Sequence, residues 1–418
     1  MIDDHAEQEL VAGGGLLHRR ALLTGGALSA AGVLIAARAA IGVRSPASMR
    51  VPGAPLSVGG HPGSGEAIRW IVPELAFPGS GSSRTPLERL QGTITPNGLH
   101  FERHHNGVPA IDSATHELLV HGLVRQPLLF RYEDLLRYPR HTRTLFIECS
   151  GNSGTIAAPE PVQANAGQLN GLLSCAEWTG VRLSTLLDEA GVAPAARWIQ
   201  AEGADVAAMT RSIPLSICLD DAMIALFQNG EPLRAAQGFP MRLLLPGIEG
   251  NASVKWLRRL KLLRAPAFSR EETAKYTDLL ATGRAEMFSL RMGVKSIILR
   301  PSFGLDLRAP GYREIDGLAW SGRGRIRKVE VSADGGASWA EAALDTPALP
   351  QALTGFRIPW RWSGGPATLM SRATDETGAV QPMRTAWIGK YSAGQGYHSN
   401  AVQSWGVDPH GGIAHVYA

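Results

Sequence analysis

The sequence predicts a mixed α+β domain followed by a β-sandwich, and three observations carry this expectation. The chain has 418 residues, 44% of them hydrophobic and 19% charged, which is enough apolar material for more than one folded domain. Its 48 glycines and 27 prolines favour turns and disfavour a bundle of long helices. Near residue 291 the pattern changes from mixed helix and strand signals to short strand signals alone. We therefore expect two units, at 85–290 and 291–392.

Short apolar runs in the first unit are typical of strands. They occur at 117–123, 143–147, 198–201 and 241–245. Residues 184–190 instead have the pattern of a short helix. Strand runs combined with a short helix predict the α+β class for this unit.

The second unit consists of short strand-like runs at 327–332, 356–362 and 367–374. The first of these leads into Asp334-Gly335-Gly336, which is typical of a hairpin turn. Such a series predicts a β-sandwich of about 100 residues. The remaining residues, 393–418, contain Gly, His and aromatic residues without a clear period, and we expect a C-terminal tail that can return to the first unit.

The N-terminus has the layout of a twin-arginine export signal. Arg19 and Arg20 precede an apolar run at 27–37. Arg38 ends this run short of the roughly 20 residues that a membrane span needs, which argues against a membrane anchor. We expect residues 1–45 to be a twin-arginine signal peptide that sends the folded protein to the periplasm. Residues 46–84, rich in Pro, Gly and Ser, are expected to form a linker or extended arm.

Charge and cysteine content exclude several classes of protein. The 41 basic and 37 acidic residues give a formal net charge of +4, which favours anionic small substrates and does not indicate nucleic-acid binding. Three cysteines without a C-x-x-C motif exclude a disulfide framework and a structural zinc cluster. The same absence means that the chain carries no c-type haem attachment motif.

Cys149 stands where an apolar strand enters a loop of small residues, Ser150-Gly151-Asn152-Ser153. Small neighbours leave room for a bulky ligand to approach a thiolate at this position. The alternative interpretation is an inert cysteine in the core, which is the common fate of a free cysteine.

Two further segments place cations beside imidazoles or glycines. In the run 101–105, Phe-Glu-Arg-His-His, the guanidinium of Arg103 could bind an oxyanion, although a solvated turn would also explain the run. Gly238 precedes Arg242, and Lys255 follows Ser253, an arrangement that suits a phosphate or pyrophosphate. The order of these residues is not that of a Walker loop.

Together these segments resemble the sulfite oxidase family of molybdenum enzymes, from about residue 85 to the end of the chain. The matching motifs, in the family's order, are F-x-R-x-H at 101–105, C-x-G-N at 149–152, G-F-P-M-R at 238–242, V-K-W-L at 254–257, A-W-S-G at 319–322 and D-G-G at 334–336. The resemblance implies a molybdopterin-binding domain at 85–290 and an immunoglobulin-like dimerisation domain at 291–392.

The resemblance also implies a molybdenum–molybdopterin cofactor and gives a role to each matching residue. Cys149 becomes the thiolate ligand of molybdenum, while Arg103, Tyr276 and Lys390 become the residues that act on the substrate. The implied cofactor-binding residues are Phe101, Arg103, His104, His105, Asp205, Gln237, Arg242, Ser253, Val254 and Lys255.

The implied activity is oxidation of a sulfur substrate by oxo transfer, with electrons passed to a separate c-type cytochrome. Family sulfite oxidases have two arginines at the positions of Ser153 and Gly154 in this chain. They also have a histidine where this chain has Gln237, and an arginine where it has Lys390. The loss of guanidinium groups favours the branch that resembles the sulfane dehydrogenase subunit of the bacterial Sox system, whose sulfur is held on a carrier protein. A free-sulfite dehydrogenase, a periplasmic molybdenum sulfoxide reductase and a non-catalytic exported binding module remain alternatives.

The same resemblance implies how the chain assembles. Its sandwich corresponds to the family's dimerisation domain, so we expect a homodimer, or a heterotetramer with the cytochrome. A sulfur-carrier protein is a further expected partner.

Overall fold

The computed structural model describes residues 81–105, 107–205, 207–391 and 397–418, together with the backbone of two short N-terminal strands. The predicted arginine pair with its apolar run, and residues 46–80 of the predicted linker, lie outside the described residues. No helix within the described ranges is long and apolar enough to cross a membrane. The helices are α1 (Tyr132–Leu135), α2 (Ala166–Asn170), α3 (Leu183–Ala190), α4 (Leu215–Asp220), α5 (Arg270–Thr273) and α6 (Arg384–Lys390).

The strands in the described part of the chain are numbered in chain order. The first strands of the chain are β1 (Leu10–Ala12), β2 (Leu16–Leu17), β3 (Gly81–Ser83), β4 (Glu102–His104), β5 (Glu117–Gly122), β6 (Leu128–Arg131), β7 (Arg140–Glu148), β8 (Leu173–Arg182), β9 (Trp198–Gly203), β10 (Thr210–Pro214), β11 (Met223–Gln228), β12 (Glu231–Pro232), β13 (Arg242–Leu244), β14 (Leu257–Leu263), β15 (Thr277–Leu279) and β16 (Ala285–Met287). Those that follow are β17 (Lys295–Arg300), β18 (Gly311–Trp320), β19 (Ile326–Ser332), β20 (Ala340–Glu341), β21 (Ala343–Leu344), β22 (Thr354–Trp362), β23 (Ala367–Asp375), β24 (Ser404–Val407) and β25 (Ile413–Val416).

The first unit contains one mixed sheet, one antiparallel sheet and a helix that packs between them. One sheet has the order β10-β9-β14-β5-β6, and the other has the order β12-β11-β8-β7 with β13 on β11. Helix α3 buries Leu183, Leu186, Leu187 and Ala190, which recur at the spacing of one helix face. It ends at Gly191, whose φ of +70° suits the left-handed C-terminal cap. The predicted α+β class is confirmed.

The second unit is the predicted β-sandwich. Its first sheet joins β17, β18 and β22, with β21 and the N-terminal β2 also paired to β22. Its second sheet has the order β20-β19-β23-β24-β25. Strand β22 alternates buried and more exposed residues, and its Phe356, Ile358 and Trp360 enter the core between the sheets.

The C-terminal tail belongs to this sandwich as well as to the first unit. Strand β24 pairs with the edge of β23, so that β24 and β25 complete the second sheet. An unpaired edge exposes a row of backbone groups, and the tail supplies partners for them. Gln403 in the tail also donates to Asn170 of the first unit (Nε2–Oδ1 2.9 Å). The predicted bounds of the domains remain predictions.

A buried ion pair joins the two units directly behind Cys149. Lys295, the first residue of β17, lies 3.1 Å from Glu148, the last residue of β7 (Nζ–Oε1), and both side chains are 2% exposed. Trp320 donates to the second carboxylate oxygen of Glu148 (Nε1–Oε2 2.7 Å). Lys295 also donates to Ser153 (Nζ–Oγ 2.6 Å). The sandwich therefore contacts residues on both sides of the cysteine.

Lys295→Met should lower the free energy of unfolding by roughly 3–5 kcal/mol, because it leaves the buried Glu148 carboxylate without its cation. Urea unfolding followed by tryptophan fluorescence measures the loss. Arg325→Met is the matched control: Arg325 pairs with Glu376 at the surface, where 55% and 42% of the side chains are exposed, and its loss should cost less than about 1 kcal/mol. Equal losses in the two variants would contradict the importance of the buried pair.

Candidate active site

A pocket in the first unit collects side chains from widely separated segments of the chain. Every predicted site residue except Lys390 lines it: Phe101, Arg103, His104, His105, Cys149, Asp205, Gln237, Arg242, Ser253, Val254, Lys255 and Tyr276. Six further residues line the pocket without a predicted role: His100, Ile147, Met209, Gly250, Asn251 and Trp256. The predicted residues are thus brought together around one space.

Cys149 follows the last residue of β7 and opens a tight loop. Its backbone N–H donates to Leu172 (N–O 2.9 Å), and Asn152 donates back to the carbonyl of Cys149 (N–O 2.8 Å). Ser153 has a left-handed φ of 61°, which turns the chain away from the strand. Burial raises the pKa of the Cys149 thiol, whereas a backbone hydrogen bond from Gly151 and the charge of Arg103 oppose this rise. A positively charged ligand such as a metal would stabilise the thiolate.

Hydrogen bonds from Lys255 link the F-x-R-x-H segment to the pocket wall. Its ammonium donates to the carbonyls of Arg103 (3.1 Å) and Ala236 (3.0 Å) and to Nδ1 of His104 (2.9 Å). Because the Glu102 carboxylate can only accept, Nε2 of His104 carries the hydrogen and donates to it (2.7 Å), and Nδ1 accepts from Lys255. The His104 ring is held at both nitrogens. It therefore positions the segment and is not free to bind a metal.

Positive charge is buried at the same wall. Arg242, on β13, donates to the carbonyls of Gln237 (Nη1–O 3.1 Å) and Ser253 (Nη2–O 2.9 Å). Burial lowers the pKa of Arg242 to about 9. Burial and the charge of Arg242 lower the pKa of Lys255 well below its usual value, although Glu102 and Asp205 oppose this effect. Each of these buried positive charges destabilises the other. An anionic group bound beside them, such as a phosphate, would stabilise both.

Tyr276 is fixed on another side of the pocket. Its hydroxyl lies 3.1 Å from Nε2 of His105, and its ring centroid lies 5.1 Å from the guanidinium carbon of Arg211. Its φ of 45° is left-handed, as is that of Trp256 at 52°, and both residues line the pocket. Non-glycine residues in this region are uncommon and cluster at functional sites. Burial, followed by the charge of Cys149, raises the pKa of Tyr276, so the hydroxyl keeps its proton.

A buried charged network lies beside the cysteine loop and was not expected from sequence. Arg211 donates to Glu249 (Nη2–Oε1 2.8 Å), and Asn251 donates to the other oxygen of Glu249 (Nδ2–Oε2 2.9 Å). Asn251 also lies 3.0 Å from Ser150 (Nδ2–Oγ), and the backbone N–H of His398 donates to the carbonyl of Ser150 (3.0 Å). The network links the residue after Cys149 to the C-terminal tail. No short motif marks it, because its members come from distant segments.

Lys390 does not join the residues that line the pocket. It ends α6, with its ammonium 3.0 Å from the Tyr391 hydroxyl and 3.7 Å from Glu286, and 56% of its side chain is exposed. Its hydrogen bond to Tyr391 raises the pKa of Lys390, which remains a cation. The expectation that Lys390 acts on the substrate stays a prediction.

Comparisons with known proteins agree on the class of this fold and site. Two family models match: the oxidoreductase molybdopterin binding domain at residues 105–270, and the Mo-co oxidoreductase dimerisation domain at residues 286–404. The chain is 30% identical over 332 residues to mitochondrial sulfite oxidase of Mus musculus, with 73% of this chain and 61% of that protein covered. It is also 30% identical over 349 residues to nitrate reductase [NAD(P)H] of Hordeum vulgare, with 73% of this chain and 39% of that protein covered.

A solved structure gives a further match. The crystal structure of the sulfane dehydrogenase SoxCD from Paracoccus pantotrophus includes a chain that is 41% identical, with a TM-score of 0.83. The match covers 90% of this chain and 100% of that chain. By contrast, the present chain spans 61% of the length of the mouse sulfite oxidase.

The mixed domain with its thiol-containing, cationic pocket, followed by the sandwich, defines a molybdopterin-binding oxidoreductase. More narrowly, the chain belongs to the sulfite oxidase family. The resemblance drawn from the motifs is confirmed.

Gly238→Ala should disturb the pocket, because a Cβ there would lie 3.1 Å from the Cβ atoms of both Arg242 and Lys255. Gly238 also has a left-handed φ of 111°, so alanine is strained as well as crowded. The matched control is Gly230→Ala, where φ is 81° but no atom lies within 4 Å of the added Cβ. Because of the left-handed backbone alone, we expect alanine at either position to lower the free energy of unfolding by more than about 1 kcal/mol. The molybdopterin content of the purified protein should fall in Gly238→Ala and not in Gly230→Ala. A normal content in both would mean that the glycine is not needed for the pocket.

Proposed function

We propose that this chain is a molybdenum-cofactor oxidoreductase that oxidises a sulfur substrate, either carrier-bound sulfane sulfur or sulfite, by transfer of an oxygen atom. The observation that carries the proposal is the convergence of the Cys149 thiol, the Arg103 guanidinium and the Tyr276 hydroxyl in one pocket. The family membership supports the same class of reaction.

The pocket residues fit a molybdopterin. Arg242 and Lys255 supply buried positive charge for its phosphate, and among the described residues the buried atoms Nε2 of His100 and Nε of Arg242 have no hydrogen-bond partner. Cys149 would supply the protein thiolate for molybdenum, which suits a soft sulfur ligand. The residues that would hold the pterin and its phosphate are Phe101, Arg103, His104, His105, Asp205, Gln237, Arg242, Ser253, Val254 and Lys255. When bound, the cofactor supplies the two-electron oxidation of the substrate sulfur.

The chain's own residues would bind and orient the substrate. Arg103 would attract an anionic sulfur group and stabilise charge that develops as oxygen is added. Tyr276 keeps its proton, and the neighbouring His105 ring fixes the position of its hydroxyl for a substrate oxygen. Burial and the nearby charge of Arg103 lower the pKa of His105 to about 4, so its ring is neutral at physiological pH.

This chain has Ser153 and Gly154 where family sulfite oxidases have two arginines, and the absence of these guanidinium groups favours a less charged substrate. Ser153 is 1% exposed and bonds to Lys295, and it does not line the pocket. Gly154 has no side chain to offer. A pocket with fewer guanidinium groups binds a small dianion less well, whereas a sulfane group on a carrier has less charge to neutralise. The 41% identity to a chain of a sulfane dehydrogenase supports carrier-bound sulfane sulfur over free sulfite.

We further propose a periplasmic protein that passes electrons to a separate c-type cytochrome. The arginine pair at residues 19–20 supports export, and the absence of C-x-x-C-H from the sequence supports haem on another chain. The matched dimerisation domain supports assembly as a homodimer or as a heterotetramer with the cytochrome. A sulfur-carrier protein would deliver the substrate.

Arg103→Met should raise KM for an anionic sulfur substrate roughly 10- to 100-fold, because a charge-assisted bond contributes about 1.5–3 kcal/mol. Lys390→Met should act in the same direction but less, since its side chain is 56% exposed and screened by solvent. Initial rates at limiting substrate, with molybdenum content measured for each variant, give the comparison. If both variants match the parent protein, neither cation binds the substrate.

The activity is tested by supplying the purified, molybdenum-loaded chain and oxidised cytochrome c with sulfite, thiosulfate or a sulfane-charged carrier protein, and in a separate assay by supplying nitrate together with a reduced one-electron donor. Reduction of added cytochrome c should accompany oxidation of the sulfur substrates, fastest with the charged carrier. The chain alone should show no haem absorbance. Turnover with nitrate only, or with NAD as the sole acceptor, would contradict the proposal.

A further inference from the structure

His100 occupies the pocket wall directly before the F-x-R-x-H segment, and the motifs give it no role. Its side chain is buried, with the residue 1% exposed. The ring stacks on Phe101 at a centroid distance of 5.5 Å and meets Trp178 edge-on at 5.6 Å. These two aromatic contacts fix the plane of the imidazole.

The hydrogen bonds of His100 determine which nitrogen carries the proton. Nδ1 lies 3.2 Å from the carbonyl oxygen of Phe101, which also accepts from Gln237 (Nε2–O 3.0 Å). A carbonyl cannot donate, so Nδ1 carries the hydrogen. Burial lowers the pKa of His100 to about 3, and the nearby charges of Arg242 and Lys255 act in the same direction. The ring is therefore neutral, and Nε2 is a bare acceptor.

This acceptor has no partner among the described residues. His415 has the same combination at another place in the fold: its Nδ1 lies 3.0 Å from the carbonyl of Val162, and its Nε2 is also buried without a partner in the described part of the chain. The difference is location, because His100 lines the cofactor pocket and His415 does not. Arg242, on the same wall, adds an unpartnered donor, Nε–H.

We infer that Nε2 of His100 accepts a hydrogen bond from an N–H group of the pterin ring system, so that His100 is an additional cofactor-binding residue. Pterins carry ring N–H and amino donors, whereas a fully ionised phosphate offers acceptors only and would repel a bare nitrogen. The inference deepens the proposed function and rests on it. It places the pterin ring, and not the phosphate, against His100.

Nitrogen-15 NMR of histidine-labelled protein tests the protonation state directly. The His100 signals are identified by their absence from His100→Phe, a variant that keeps an aromatic ring between Phe101 and Trp178. In protein freed of cofactor we expect Nδ1 protonated and Nε2 unprotonated. Loading with cofactor should shift the Nε2 signal without protonating it. A protonated Nε2 in the loaded protein would mean that an imidazolium faces the phosphate, and an unchanged Nε2 would mean no contact; either result overturns the inference.

Pterin release gives a second readout. Loss of one hydrogen bond should make His100→Phe release pterin about 2- to 10-fold faster than the parent protein, followed by fluorescence of the released pterin. His100→Gln, which keeps a polar group near the position of Nε2, should restore part of the retention. His415→Phe is the matched control and should release pterin at the parent rate.

The outcomes separate this inference from the proposed function. A parent protein that carries molybdopterin and oxidises sulfur, combined with unchanged release from His100→Phe, overturns the role of His100 alone. A parent protein that binds no molybdopterin when the cofactor is supplied overturns both.

Discussion

The position of Cys149 depends on the buried pair of Lys295 and Glu148. Lys295 comes from the sandwich and contacts Glu148 before the cysteine and Ser153 after it. Removing two charges from water costs free energy unless the pair has good geometry and its other polar atoms also form hydrogen bonds. Here Trp320 donates one of those hydrogen bonds to Glu148. The second unit therefore helps to hold the thiol of the first unit in place, because Lys295 contacts the chain on both sides of Cys149.

A wall of the pocket contains two buried cations, Arg242 and Lys255. Arg242 and Lys255 are held by backbone carbonyls, so their positive charges are positioned but not neutralised. Such a wall is electrostatically incomplete without an anion, which is the property expected of a site for a phosphate-bearing cofactor. The thiol and the cations thus fit the metal end and the phosphate end of one ligand.

The sequence could predict most of this pocket because its residues lie in short contiguous motifs whose order is preserved. It could not predict which way side chains outside those motifs point. At the end of α6, for example, the ammonium of Lys390 lies beside Tyr391 and Glu286, two contacts that no motif indicates, and its action on the substrate stays a prediction. The strand partners of the tail and the tautomer of His100 depend on contacts between distant segments, for which periodicity and spacing carry no signal.

We propose that Cys149 is the protein ligand of molybdenum, and X-ray absorption at the molybdenum edge can count the sulfur atoms bound to the metal. The parent protein and Cys149→Ser would be compared after molybdenum and pterin contents have been measured for each. We expect the variant to keep the pterin but to lose one sulfur neighbour of the metal and all turnover, since a hydroxyl cannot replace the soft thiolate. An unchanged number of sulfur neighbours, together with full activity in Cys149→Ser, would contradict it.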